Sequence, residues 1–501
     1  MGVPSLSKSV GWTRGIVEAR AQMFDLQRQL GTGKRAATYG ALGSERTLAI
    51  AMRSRVSVVE SYQSTIESIT LRTNVMSQAM ERIAEINREM RSDASVPDFL
   101  LTDGERTTLQ LRAEISLEES LSLLSSEVGG RYLFAGRSVD SDPVVSYDEL
   151  MNGSGGRAGF KQHLSERRQA DLGADGLGRL VIPVPGAADV TVSEDVDGSP
   201  FGFKLVALNS GLTGTSTVGP AGAPPAATLS FTATLPEAGE TAELTVSLPD
   251  GSETRIELTA VAPGEGGAAG TFEIGVDENT TAANFQAALN AAVLLSAQTE
   301  LQPASGIAAS EDFFNIDEAN PPQRVDGPPF DTAVALRDGT TADTVFWYTG
   351  DAAVGDARST TTGRVDTSIT VSYGARATEE AFRWGIQNLA VLAAETYDLS
   401  VDTDKGRYLN MARKGAVNLT YPDNKQTVVS IQAQIVSAEY VAGQANERHI
   451  DTVATAEDLV NKIEGADVNE VGIKLLQLQT RLQASYETTS ILAQLSLVNY
   501  L

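Results

Sequence analysis

Apolar residues recur at both ends of this chain with the spacing of a coiled-coil seam. Near the start, Trp12, Ile16, Ala19, Met23, Leu26 and Leu30 follow a 4-3-4-3-4 rhythm, narrower than the broad apolar stripe of an ordinary surface helix. The glycine-rich break "GTGKRAATYGALGS" follows, and its Ser44 suits the N-cap of a second helix. That helix carries Val59, Tyr62, Ile66, Ile69, Thr73, Met76, Met80, Ile83, Asn87 and Met90 on one seam. It is predicted to stop before Pro97, because the residue preceding a proline is pushed out of the helical region. A third helix, with Leu117, Leu121, Leu124 and Val128, is predicted to end at Gly129 and Gly130, with "RYLFAG" beyond it as a short strand.

The C-terminal part mirrors this arrangement. Phe382, Ile386, Leu389 and Ala393 mark a helix after the strand-like "SITVSYG". A longer helix then carries Val428, Ile431, Ile435, Ala438, Ala442, Ala445, His449, Thr452, Ala456, Leu459 and Ile463 up to Gly465, and a last one carries Val468, Val471, Leu475, Leu478 and Leu482. A seam this narrow must face another helix, so N-terminal helices are expected to pack on C-terminal ones in one rod.

Between them, roughly from residue 176 to 344, the composition shifts to Gly, Ala, Pro and Thr. "ATLSFTATL", "AELTVSL" and "TRIELTAVA" alternate apolar with polar, and "LPDGSET" carries the Asp-Gly of a tight hairpin. "TAANFQAALNAAV" is predicted as a helix packed on that sheet, while "GLTGTSTVGPAGAPPA" and "APGEGGAAG" read as surface loops or spacers.

Composition narrows the chemistry. The 501 residues contain no Cys and only His163 and His449, which removes disulfides and thiolate metal sites and leaves little for a histidine-based site. An enzyme is not expected, and neither a cofactor nor a metal. Asp plus Glu outnumber Lys plus Arg by 65 to 39, a formal net charge of -26, so neither nucleic acid nor an anionic membrane is an expected partner. No conventional secretion signal and no membrane span are read from the hydrophobic pattern.

Short motifs add little. "GTGKRA" at Gly31 to Ala36 has the look of a phosphate loop, but it follows a helix rather than a strand, and Arg35 stands where Ser or Thr would bind magnesium. "DVDGS" at Asp195 would need an acidic last ligand and has Lys204 there, so it reads as a turn. His449 lies on a helical seam and reads as a packed or hydrogen-bonded residue.

The informative feature is the ending "LQASYETTSILAQLSLVNYL", with Leu492, Leu495, Leu497, Tyr500 and Leu501 and no charge after Glu487. Leaving such side chains in water forgoes about 1.5 to 3 kcal/mol each relative to burial, so this stretch is expected to be buried between copies in an assembly. Three segments, "DLQRQLGTGKR…LAIAMRSRV", "GGRYLFAGRSVDSDPV" and "KLLQLQTRLQASYETTSILAQLSLVNYL", resemble the flagellin superfamily. Within it the chain looks most like the flagellar hook-associated protein 3 family, the hook-filament junction proteins. The resemblance covers roughly residues 1–150 and 345–501.

That resemblance implies a mainly α chain with an inserted β region, in which the N- and C-terminal segments form a long coiled-coil-like rod. A terminal helical inner-core domain would take residues 1–42 and 465–501, a helical rod domain with short β-hairpins 43–175 and 345–464, and a β-rich variable outer domain 176–344. It implies a structural protein, secreted by type III export and placed in the extracellular flagellum where hook meets filament. Its partners would be other copies in a ring, flagellin, hook-associated protein 1, an export chaperone and the export apparatus. The expected assembly interface is Trp12, Ile16, Met23, Leu26, Leu30, Leu475, Leu478, Leu482, Leu492, Leu495, Leu497, Tyr500 and Leu501. Two other readings stand beside it: flagellin itself, and an exported β-domain binding module or adhesin.

Overall fold

The computed structural model describes residues 5–102, 106–317, 319–398 and 400–498. About 52% of the chain is helical and 16% is strand in small sheets, a mixed α fold with β. In chain order the helices are α1 (Ser5–Thr32), α2 (Arg46–Ser95), α3 (Thr108–Leu124), α4 (Tyr147–Asn152), α5 (Phe160–Leu172) and α6 (Glu278–Ser296). They continue with α7 (Gln302–Phe314), α8 (Glu380–Ala394), α9 (Asp402–Asn418), α10 (Val428–Glu464) and α11 (Val468–Val498). Among the described residues, no helix is long and apolar enough to cross a membrane.

The long helices match their seams. α2 ends at Ser95, two residues short of Pro97, and buries Val59, Ile66, Ile69, Thr73, Met76, Met80, Ile83, Asn87 and Met90. α3 opens with a capping box, in which the Thr107 hydroxyl accepts from the Gln110 amide and the Gln110 side chain accepts from the Thr107 amide. It ends at Leu124, before the expected glycines, and "RYLFAG" is not a strand. There Gly129, Gly130 and Gly136 have φ of 63°, 76° and 63°, so the backbone turns repeatedly and its bonds go to turn partners such as Val128 N to Arg131 O. Phe134 sits fully buried in this turn, edge-on to Phe382 at 5.5 Å.

The strands are β1 (Leu101–Thr102), β2 (Arg106–Thr107), β3 (Leu180–Val181), β4 (Asp189–Glu194), β5 (Lys204–Ser210), β6 (Thr215–Ala221) and β7 (Ala226–Phe231). After them come β8 (Thr241–Ser247), β9 (Glu253–Val261), β10 (Thr271–Glu273), β11 (Gln323–Val325), β12 (Leu336–Asp338), β13 (Thr362–Arg364) and β14 (Thr370–Ser372). Two four-stranded sheets, ordered β3-β4-β7-β6 and β10-β9-β8-β5, are antiparallel except where β10 runs parallel to β9. Alternation chooses their inner faces: Ala227, Leu229 and Phe231 point inward on β7, as do Ile256, Leu258 and Ala260 on β9. Together with Phe272 and with Phe285, Leu289 and Val293 of α6 they make one core. Gly251, at φ 77°, closes the β8–β9 hairpin at the expected Asp-Gly.

The stretch expected as a spacer, "GLTGTSTVGPAGAPPA", contains β6 instead. β6 is the outer strand of its sheet and pairs only with β7, so backbone hydrogen bonds hold it while most of its side chains remain exposed. An apolar alternation is not needed there and is not present.

Contacts group the chain into two compact units. One comprises residues 1–70, 363–371 and 440–501; the other comprises 71–362 and 372–439. The first holds α1, α11 and parts of α2 and α10. The second holds the two sheets with α3 through α9, and an aromatic cluster in which Phe314 neighbours Phe160, Phe313 and Trp347 at 5.0 to 5.7 Å.

Candidate assembly surface

In the first unit α1 and α11 pack against one another. Leu478 and Leu482 of α11 are only 8% and 6% exposed, Val471 is buried with them, and Leu475 is half-buried. These four follow the 4-3-4 seam. From α1, Ile16, Met23 and Leu26 are half-buried, whereas Leu30 is exposed. Arg20 of α1 lies over the Tyr486 ring of α11 at 5.7 Å, a cation–π contact along the same pair. The side chains of Trp12, Leu492, Leu495 and Leu497, and the whole of Tyr500 and Leu501, lie outside the described residues.

One pair of helices buries only one stripe of each. Val17 and Phe24 on α1, and Val468, Ile473, Leu476 and Ile491 on α11, are all more than half exposed, Phe24 at 65% and Leu476 at 64%. Beside the seam a groove of about 580 Å³ runs between Asp25 and Leu26 on one helix and Lys474, Leu478 and Arg481 on the other. Asp25 is tied to Arg28 and Gln29 of its own helix, and those bonds, Arg28 first, hold its carboxyl below the usual range. The seam was legible from spacing. The outward apolar residues were not singled out, although Val17 and Phe24 already stand seven apart in the sequence.

The breaks that end α1 and α10 lie side by side. Gly33, at φ 68°, turns the chain out of α1. Arg35 N then donates to Glu464 O at 2.7 Å, Ala466 N donates to Gly33 O at 2.8 Å, and Lys34 bridges Gly465 in antiparallel fashion. Gly465 has no room for a side chain, since a Cβ there would meet Asn461 O at 2.4 Å. Leu42, Ala49 and Ile463 form a small apolar cluster next to this joint. Arg53 adds a two-pronged bond to Glu464, and that bond is the main reason the Glu464 carboxyl is held below its ordinary range. "GTGKRA" is thus a helix-ending turn whose Arg35 pairs with Glu45.

His449 is buried, stacked on Tyr62 at 5.6 Å, and its Nε2 lies 2.7 Å from Val365 O. Among the described residues no cluster of His, Asp and Glu could hold a metal ion. The "DVDGS" turn has Gly198 at φ 68°, and Asp195 pairs with Arg179. What this surface offers is helix-to-helix association. No protein-family model matches this chain, and a search of curated proteins returns no match.

Proposed function

We propose that this chain is a structural subunit of the bacterial flagellum at the hook-filament junction, assembling through its terminal helices with other copies, hook-associated protein 1 and flagellin. The observation that carries the reading is the α1–α11 pair: two helices from opposite ends of the sequence meet on a narrow seam and leave Phe24, Leu476 and their neighbours in water. A helical pair with apolar residues on both inner and outer faces suits a subunit that stacks among further helices. In this reading the seams of α1, α2, α10 and α11 belong to a coiled-coil-like rod, and the β-rich region is the family's variable part. The sequence resemblance supports the place in the flagellum, and the helical pair supports assembly by helix packing.

Immunogold labelling of intact flagella, with antibody raised to the β-rich region, tests the assignment. A short band of label where hook meets filament is expected. Label along the whole filament would make the chain a flagellin, and no label on flagella would leave the β-domain binding module as the reading.

A further inference from the structure

A groove of about 1020 Å³ lies in the second unit, lined by the last turns of α2, by α8 and α9, and by the turn that follows α9. Leu409, Arg413, Ala416 and Val417 line it with the spacing of one helical face of α9, and Val417 is 64% exposed. Trp384 and Tyr421 line it as well. Their polar atoms are satisfied within the chain: Trp384 Nε1 donates to Asn418 O, and the Tyr421 hydroxyl donates to Ala381 O at 2.8 Å. What both residues leave for the groove is ring surface. Arg91 and Arg413 are exposed lining residues. Arg413 Nη1 donates to Asn410 Oδ1 at 3.2 Å, and neither arginine pairs with a carboxylate among the described residues. One acidic residue, Asp423, lines the groove with them.

Apolar surface rimmed by polar residues marks interaction sites. The volume stands at the upper end for small-molecule sites, and many of the lining residues are exposed, which suits a peptide better than an enclosed ligand. The arginines select its charge. Asp and Glu outnumber Lys and Arg by 65 to 39 in the whole chain, whereas in this groove two cations face one acid. Each arginine reaches solvent by itself, so each can meet a different carboxylate along an extended partner. We propose that this groove docks an acidic peptide segment of a partner protein, with apolar side chains against Leu409, Val417, Trp384 and Tyr421 and carboxylates on Arg91 and Arg413. The proposal is independent of the flagellar reading.

Fluorescence anisotropy of the fluorescein-labelled peptide EELFEELF, titrated with the full chain, tests it. The peptide KKLFKKLF reverses the charge, and EESSEESS removes the apolar side chains. Saturable binding of EELFEELF is expected, with each control weaker by about tenfold or more. Arg91→Gln and Arg413→Gln should each weaken binding by about threefold, the worth of one exposed ion pair, and together by about tenfold. Both side chains are exposed, so the double variant should keep the circular dichroism of the wild type. Absence of saturable binding, equal binding of KKLFKKLF, or unchanged binding by the double variant would each overturn the proposal. So would self-association of the wild type that the double variant abolishes, because the occupant would then be a second copy of this chain.

Discussion

Arg53 grips Glu464 with both arms of its guanidinium, Nε on Oε1 at 2.8 Å and Nη2 on Oε2 at 2.7 Å, between residues 411 apart in sequence. The same glutamate offers its backbone oxygen to Arg35 N, so one residue ties α2 and the break after α1 to the end of α10. Replacing Arg53 with Ala should cost about 1 kcal/mol, the upper end for a pair with one exposed partner and good fork geometry. Amide exchange at Arg35 and Ala466 should then run several-fold faster. Because Glu464 is held below its ordinary range, this support is present above that range and fades as acid protonates the carboxylate. Unchanged exchange at both amides would show that the pair contributes nothing to the joint.

Leu482→Asp places a charge on the α11 face that packs on α1. Losing a buried Leu costs about 2 to 5 kcal/mol, and an unpaired charge adds to that. Amides along α1 should lose protection while those of the β-rich sheets keep theirs, and under the proposed function the variant should not enter flagella. Wild-type protection of α1 would mean that the seam does not hold the pair together.

Phe285 of α6 meets Phe231 at 5.6 Å and Phe272 at 5.2 Å, joining both sheets to the helix. Phe285→Ala should destabilise this region by about 3 to 5 kcal/mol, read as a lower denaturant midpoint for the sheet signal. A loss under about 1 kcal/mol would contradict the packing described.

His163 of α5 is buried, edge-on to Phe313 at 4.8 Å, with Nδ1 at 3.3 Å from Gly159 O. Burial first, and then the charge of Arg324, lower its pKa from 6.5 to about 4. The unfolded chain therefore takes the proton before the folded one, so stability falls as pH drops from 6.5 towards 4. Asp312, raised by burial from 3.8 to about 6 despite Arg167, acts in the opposite sense: its contribution is lost as pH rises through that window. Comparing denaturant midpoints of wild type and His163→Leu isolates the histidine, and the wild type should lose ground relative to the variant below pH 6.5. Parallel curves would refute the assignment.

The same helix shows where sequence patterning stops. α2, α10 and α11 were legible because regularly spaced aliphatic residues mark their buried seams, isoleucine and methionine in α2, isoleucine and alanine in α10, and valine and leucine in α11. α5 was missed because the face it buries mixes Phe160, Leu164 and Ala170 with His163, Glu166, Arg167 and Asp171, and the polar positions break the apolar rhythm. Its burial is made tolerable by ion pairs, Arg167 with Asp171 one turn on, and with residues far along the chain, Glu166 with Arg324 and Arg167 with Asp312. No periodicity of apolar residues announces such a helix. α9 escaped for a related reason, as much of its buried surface comes from Tyr408, Met411, Ala412 and Gly415 among charged neighbours. In the candidate surface the seam positions were legible, whereas the Gly33–Gly465 joint needs tertiary pairing that spacing cannot encode.

That joint has a consequence for how the two ends can vary. With Lys34 bridged to Gly465 and Ala466 bonded to Gly33, α1 and α11 start from a common origin, like two rulers pinned at the same mark. Adding or removing a residue between Gly33 and the α1 seam would rotate that seam by about 100° away from Leu478 and Leu482, given 3.6 residues per turn. Length changes next to either break are therefore tolerated only in compensating pairs.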